Sequence, residues 1–359
     1  MKTIAVIGTR GFPGIQGGVE KHCENIYPLM QGVKLRVYRR RPYLSSQSSM
    51  SFGDIGFVDL PSTRIKGFEA IIHTLLCVLH IAFHRPAAVH VHNIGPGMFA
   101  PLIKLLNIPV ILTYHSPNYE HKKWGRVARL ILKWGEGVSL RFSDRIIFVN
   151  KFQREKFGKR ILEKSLYIPN GIKQVTRTRG HSFLDKHGIV PGDYVLSVGR
   201  ITPEKGFEYL IEAVDSLPQV KQVVIAGASD HDSRYLGYLK KLDLNHKVVF
   251  TGFTSGEDLR QLYSHAQLYV LPSVNEGFPL VMLEAMGYGL PLLLSDIPAT
   301  HLIALPENDY FPTADATALQ HSLKHRLEQL DNRPVAYDLK DFDWQSIARL
   351  TQEQYKCNE

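Results

Sequence analysis

The chain has 359 residues, 44% hydrophobic and 21% charged, with a net charge of +9. That composition excludes a disordered or collagen-like chain and suits two globular domains of ordinary size. Residues 1–180 carry 28 Lys/Arg against 10 Asp/Glu, a net of +18, and residues 181–359 carry 15 against 24, a net of −9. A sign change of that size marks a domain boundary and turns the first half toward something anionic: nucleic acid, a lipid headgroup surface or a phosphorylated substrate.

Residues 3–8, "TIAVIG", read as a strand, followed by the glycine-rich "GTRGFPGIQGG" and a helix opening at Val19. "VKLRVYRR" (33–40) and "GDIGFVDLP" (53–61) read as further strands, and a helix is expected over 68–83. Then come strand 87–93, a helix near 97–106, and strands 109–115, 145–150 and 165–171. The rhythm restarts with strands at 194–200, 222–227, 247–252, 266–273 and 290–296, with helices between them at about 206–217, 233–242, 257–264 and 279–287. Apolar strands alternating with helices predict an α/β protein with parallel sheets covered on both faces. The expected domains are 1–172 and 173–342, joined through the Pro/Gly-rich 168–182, with a terminal helix in 343–359 returning to the first. The apolar run 71–83 is too short to span a membrane. Cys23, Cys77 and Cys357 form neither a metal spacing nor a disulfide framework, which suits a reducing compartment. With no cleavable leader pattern, a cytoplasmic location is expected.

Ligands of parallel sheets bind beyond the carboxyl ends of the strands, and most unusual residues here fall at such ends. Gly11, Gly14, Gly17 and Gly18 allow the backbone to approach an anion beside Arg10, although neither a dinucleotide nor a Gly-Lys-Ser/Thr spacing is present. Arg200 follows a strand with Lys205 five residues on, a fixed fork and a mobile charge that suit a diphosphate. His115 ends a strand, where it could contact a phosphate or sugar hydroxyl or simply bond a neighbouring loop. His90 and His92 alternate along one strand before Asn93, and no nearby carboxylate or cysteine completes a metal set.

In "SVNEGFPLVMLEAMGYGLP" (273–291), Gly277, Phe278, Pro279 and Leu280 open a helix whose first amides would face a phosphate. Glu276 precedes the helix and Glu284 lies about two turns inside it, among apolar residues. Roughly 12 Å of helical rise is too far for an acid/base pair on one bond, and suits two contacts to one elongated ligand. A buried salt bridge is the structural alternative.

This segment closely resembles the Glu-x7-Glu signature of family 4 retaining glycosyltransferases, which have the GT-B fold of two Rossmann-like domains facing across a cleft. "GRITPEKG" is similar to their diphosphate-binding segment, and "MKTIAVIGTRGFPGIQGGVEKH" resembles bacterial members that include rhamnosyltransferases of surface polysaccharide assembly. Lys173 stands where many relatives carry an aspartate after "PNG" and one hydrophobic residue, so no ligand contact is assigned there. The resemblance implies that Glu284 binds the ribose hydroxyls of a nucleotide-diphosphate sugar donor and Glu276 the hydroxyls of the transferred sugar. It implies that Arg200 and Lys205 neutralise the leaving diphosphate, that Gly17 and Gly18 bring amides near phosphate and acceptor, and that His115 contacts the sugar. Arg10, Asn93 and Asn150 would line the cleft. No metal is expected to be required, because two cations and a helix amino-terminus can balance the diphosphate. The acceptor would be a glycan or a polyprenyl-diphosphate-linked sugar.

Two other readings share features of this sequence. A sugar-nucleotide 2-epimerase has the same fold and would turn over the donor without an acceptor. A nucleic-acid-binding protein would use the basic half, but no known recognition helix appears there and its densest cationic run, "RVYRRRPY" (36–43), is read as a solvated face, so no nucleic-acid partner is expected. Residues 121–137 place Trp124, Val127, Leu130, Ile131 and Trp134 near one helical face, with Lys122, Lys123, Arg126, Arg129 and Lys133 around it. Such a helix can dock peripherally on an anionic membrane, or pack its apolar face into the domain.

Overall fold

The computed structural model describes residues 1–44, 53–63, 65, 68–117, 119, 125–229, 233–331 and 333–356. The chain forms two units, Met1–Gly171 with Asp341–Glu359, and Ile172–Lys340.

In the first unit the strands are β1 (Lys2–Ile7), β2 (Val33–Arg40), β3 (Ile55–Leu60), β4 (Ala88–His92), β5 (Val110–Tyr114), β6 (Arg145–Phe148) and β7 (Ser165–Tyr167). They make one sheet in the order β3-β2-β1-β4-β5-β6-β7, and every pairing is parallel. Strands β4 and β5 are buried along their whole length. That is why "VILTY" reads as a continuous apolar run rather than an alternating one. The order reverses between β1 and β4. Crossovers of one hand therefore place helix Gly18–Ile26 on one face and helices Phe68–Phe83, Ile94–Gly97, Ala100–Leu105 and Arg126–Phe142 on the other. The terminal helix Trp344–Glu353 packs against Gly18–Ile26 and buries Trp344 and Ile347. Asp343 starts it by accepting the Ser346 N–H at 2.9 Å.

The helix expected near 97–106 is two pieces, because Pro101 can sit only in a first turn and restarts the helix there. The cationic run 36–43 departs from the solvated face expected of it: Arg39 and Arg40 are buried. Arg39 makes two bonds to Asp59, at 2.7 and 2.9 Å, and its guanidinium lies over the Phe57 ring. Arg40 pairs with Glu69 at 3.7 Å. Internal carboxylates and an aromatic face, invisible in the run itself, hold the two cations inside.

In the second unit, β8 (Tyr194–Val198), β9 (Gln222–Ala226), β10 (Val248–Gly252), β11 (Leu268–Leu271), β12 (Leu292–Ser295) and β13 (Tyr310–Phe311) form a parallel sheet ordered β10-β9-β8-β11-β12-β13. Its core joins Val195, Leu210, Ile225, Val270 and Leu293. Here the order reverses between β8 and β11. Strand β13 and helix Ala316–Glu328 went unread in the sequence, since β13 has two residues and the helix buries only Leu319 and Leu323. Among the described residues no helix is long and apolar enough to cross a membrane.

Candidate functional site

Where strand order reverses, two adjacent strands send their following loops to opposite sides, and a crevice opens between them. In the second unit those loops follow β8 and β11, and they carry Arg200, Lys205, Glu276 and the start of helix Leu280–Gly287. A short turn over Pro203–Lys205 ends at Gly206, whose φ is +63°. A Cβ there would lie 2.2 Å from the Pro272 carbonyl oxygen, so glycine lets the two loops close on each other. The Val274 N–H donates to the Glu204 carbonyl at 2.9 Å and stitches them together. Ser295, at the end of β12, donates to the Ser273 carbonyl at 2.5 Å from the other side.

This framework sets Lys205 and Glu276 against each other, Nζ to Oε1 at 2.5 Å, with both side chains mostly buried. Ser273 Oγ donates to the same carboxylate oxygen at 2.7 Å. The salt-bridge alternative weighed for the two glutamates is thus realised at Glu276. Arg200 directly follows the short loop from β8 and is partly exposed.

Glu284 answers differently. It lies inside helix Leu280–Gly287, partly buried, and accepts the Tyr263 hydroxyl at 3.0 Å. The Tyr263 ring stacks on Tyr288 with centroids 5.1 Å apart. The helix starts one residue later than expected: Pro279 is extended at its cap, Phe278 is buried before it, and Gly277 and Leu280 are partly exposed. Tyr269, on β11, was missed in the sequence because it looked like one more strand aromatic. It is fully buried, and its hydroxyl makes no well-formed hydrogen bond, with only the Val198 backbone beside it. Burial, followed by the Glu276 and Glu284 carboxylates, pushes its phenol well above the ordinary range. The charges of both glutamates thus act on one buried phenol.

The first unit builds a second cluster. Its crevice strands β1 and β4 lead to the glycine loop and to His92-Asn93. Glu20 dominates the loop: its Oε1 accepts the Arg10 N–H at 2.9 Å and the Thr9 hydroxyl at 3.2 Å. Gly17 precedes the helix with φ +153°, and a Cβ there would lie 2.0 Å from Glu20 Oε2, whereas a Cβ at Gly18 would meet open space. A side-chain carboxylate thus takes the Arg10 amide, which is not one of the Gly17 and Gly18 amides expected to face a ligand. The Arg10 guanidinium lies over the Tyr43 ring at 4.8 Å.

Beside the loop, four histidines gather. His92 Nδ1 lies 2.9 Å from His115 Nε2, and Tyr27 bridges His92 Nε2 and His90 Nδ1 at 2.5 and 3.0 Å. His90 completes its bonds with Tyr355 and Thr113, so it is the satisfied strand histidine. His22 comes from helix Gly18–Ile26 with Nδ1 2.8 Å from the Asn170 side-chain oxygen. That oxygen accepts, so Nδ1 holds the proton and Nε2, which has no partner, presents its lone pair. Burial keeps all four rings neutral: His22 is lowered to about 4 and His90 to about 3, and His92 and His115 lie well below the ordinary value. Ligand atoms of His22, His92 and His115 lie within 4.8 Å of one another, a nitrogen set of the kind that borderline divalent ions accept. The set is invisible in sequence because its members are spread over 93 positions on three elements.

Asn93 adopts φ +72° before helix Ile94–Gly97. Asn150 is buried and caps the next short helix, accepting the Phe152 N–H at 2.9 Å and the Gln153 N–H at 3.3 Å, so its oxygen serves the fold. Two Asp-x-Asp spacings exist in the chain, so the expected metal independence rests on the cations and the helix amino-terminus alone. Asp230 and Asp232 lie outside the described residues, and Asp343 of the Asp341/Asp343 pair is the helix cap already noted.

Residues 16–174 match the model "Glycosyltransferase Family 4" and residues 183–329 the model "Glycosyl transferases group 1". Over 286 residues the chain is 28% identical to alpha-D-kanosaminyltransferase of Streptomyces kanamyceticus, covering 74% of this chain and 72% of that one. Over 245 residues it is 27% identical to the UDP-Gal:alpha-D-GlcNAc-diphosphoundecaprenol alpha-1,3-galactosyltransferase of Escherichia coli, covering 62% and 61%. Its matches span between 25% and 76% of the length of such curated relatives. Among solved structures, HepE from Anabaena in complex with UDP and glucose superposes with a TM-score of 0.78 at 18% identity, covering 98% of both chains. That likeness shows the fold, GT-B with two Rossmann-like domains.

Proposed function

The chain belongs to the GT-B glycosyltransferase superfamily described by these two models, and from that premise we propose that it moves a sugar from a nucleotide-diphosphate donor to a glycan or lipid-linked acceptor with retention of configuration. The observation that carries this reading is the set of residues at the switch point of the second sheet, where Lys205, Glu276 and Ser273 meet ahead of helix Leu280–Gly287, which carries Glu284 bonded to Tyr263.

On this reading the donor lies along the second unit. Glu284 takes the ribose hydroxyls and Glu276 the hydroxyls of the sugar. As the glycosidic bond to the diphosphate breaks, negative charge grows on the phosphate oxygens, and Arg200 and Lys205 stabilise it without needing a metal. The entry of phosphate replaces the carboxylate partner of Lys205 and releases Glu276 to the sugar. Acceptor recognition falls to the first unit, with His115 as the sugar contact at the end of β5. The galactosyltransferase relative acts on a diphosphoundecaprenol-linked sugar, which supports a lipid-linked acceptor. The likeness of residues 1–22 to polysaccharide rhamnosyltransferases supports a place in bacterial surface polysaccharide synthesis, on the cytoplasmic side of a membrane that the first unit contacts peripherally.

Incubation with a panel of nucleotide sugars and polyprenyl-diphosphate-linked acceptors tests the proposal. Acceptor-dependent release of a nucleoside diphosphate, with the donor's anomeric configuration kept in the product, is the expected result. Epimerisation of the donor without acceptor supports the 2-epimerase instead, and no consumption of any donor contradicts both.

A further inference from the structure

Helices Phe68–Phe83, Ala100–Leu105 and Arg126–Phe142 share one face of the first sheet, the outer two packing on Ile94–Gly97 between them. The first of them is apolar on both sides. Cys77, Val78 and Ile81 are buried against the sheet, while Phe68, Ile72, Leu75, Leu79 and Phe83 form an exposed stripe with spacings of three and four. Leu105 is 79% exposed on the second helix. On the third, Val127, Leu130, Ile131 and Trp134 are exposed, Trp134 by 64%. The face expected either to dock or to pack inward therefore faces out. Lys122, Lys123 and Trp124, assigned to the same face, lie outside the described residues.

Charge on this layer is one-sided. Arg85, Arg126, Arg129 and Lys133 are exposed. The only acids that the three helices contain, Glu69 and Glu136, are turned to internal partners. Glu69 pairs with Arg40, and Glu136 is buried and accepts the Tyr114 hydroxyl at 2.5 Å. An outer surface that combines large apolar side chains, basic side chains and no outward carboxylate complements an anionic bilayer.

We infer that this three-helix layer is the surface on which the protein docks to anionic lipid, with the apolar stripes entering the headgroup boundary and the cations meeting lipid phosphates. The inference deepens the reading of a lipid-linked acceptor by naming the surface that brings the enzyme to it. It extends the expected single docking helix to helix Phe68–Phe83, which carries no cation of its own.

The test is co-sedimentation of the full chain, without donor or acceptor, with vesicles of phosphatidylcholine alone or mixed equally with phosphatidylglycerol. Binding to the mixed vesicles, quenched Trp134 fluorescence with acyl-brominated lipid, and roughly fivefold weaker partitioning for each of Arg126→Gln and Arg129→Gln are expected. Leu79→Gln/Phe83→Gln should weaken binding roughly tenfold or more. Because these side chains are exposed, an unchanged melting temperature verifies that each variant is folded. Equal binding to both vesicle types, binding insensitive to the Leu79/Phe83 change, or no binding overturns the inference. So does self-association that these variants abolish while vesicle binding is absent, since the layer would then join two copies. Donor consumption assayed on the same preparations keeps a failure here separate from a failure of the glycosyltransferase reading.

Discussion

Lys205 Nζ and Glu276 Oε1, brought together from loops 71 residues apart, lie 2.5 Å from each other. A mostly buried ion pair is sensitive to loss of one partner, because the remaining charge keeps its desolvation cost. Lys205→Ala leaves Glu276 with the Ser273 hydroxyl and should cost about 1–3 kcal/mol of stability. Glu276→Gln made on that background should restore part of the loss. Denaturant unfolding of the two single variants and the double variant measures the coupling. Additive effects would mean that the pair contributes nothing beyond its separate members.

Activity should survive exhaustive chelation, since Arg200 and Lys205 can balance the leaving diphosphate. The His22, His92 and His115 set makes this a demanding test, because its nitrogens could hold an ion. Turnover that is lost on chelation and returns only with a divalent ion would reverse the assignment. Arg200→Ala should lower kcat more than it weakens donor binding, as leaving-group charge is greatest in the transition state.

Tyr269→Phe removes a buried hydroxyl that makes no well-formed hydrogen bond, with only the Val198 backbone beside it. The free protein should melt at the same temperature or higher, since an unsatisfied buried polar group costs about 1–3 kcal/mol. The stabilisation gained on adding donor should shrink if the hydroxyl serves the ligand. A lower melting temperature for the free variant would show that the hydroxyl is structurally satisfied.

Strands such as β5 and β8 were legible because they are fully buried and continuously apolar, and Glu284 because a carboxylate interrupts an apolar helix. The histidine cluster was not, since long-range packing alone brings His22 to His92 and His115. Nor could the run 36–43 disclose that Asp59 and Glu69 would take its arginines inside. Composition showed that helix Arg126–Phe142 is amphipathic, but burial alone decides which way its apolar face turns.

The neutral histidines make the first unit sensitive to mild acid. Their folded pKa values, about 4 for His22 and about 3 for His90, lie below the ordinary value near 6.5. The unfolded chain therefore takes up protons first, and stability should fall as pH drops from about 6.5 toward 4. Thermal melts across that window should shift downward, and His90→Gln should flatten part of the shift. A melting temperature independent of pH from 7 to 5 would mean that these rings are not held neutral by burial.

The most direct measurement is calorimetric titration of the consumed nucleotide sugar into the parent and into Glu284→Ala. The carboxylate that accepts Tyr263 at 3.0 Å is assigned to the ribose hydroxyls. Its removal should weaken donor binding by about 1.5–3 kcal/mol, roughly ten- to a hundredfold, the scale for losing a charged hydrogen-bond partner. Equal affinities in the two proteins would contradict the placement of the donor along helix Leu280–Gly287.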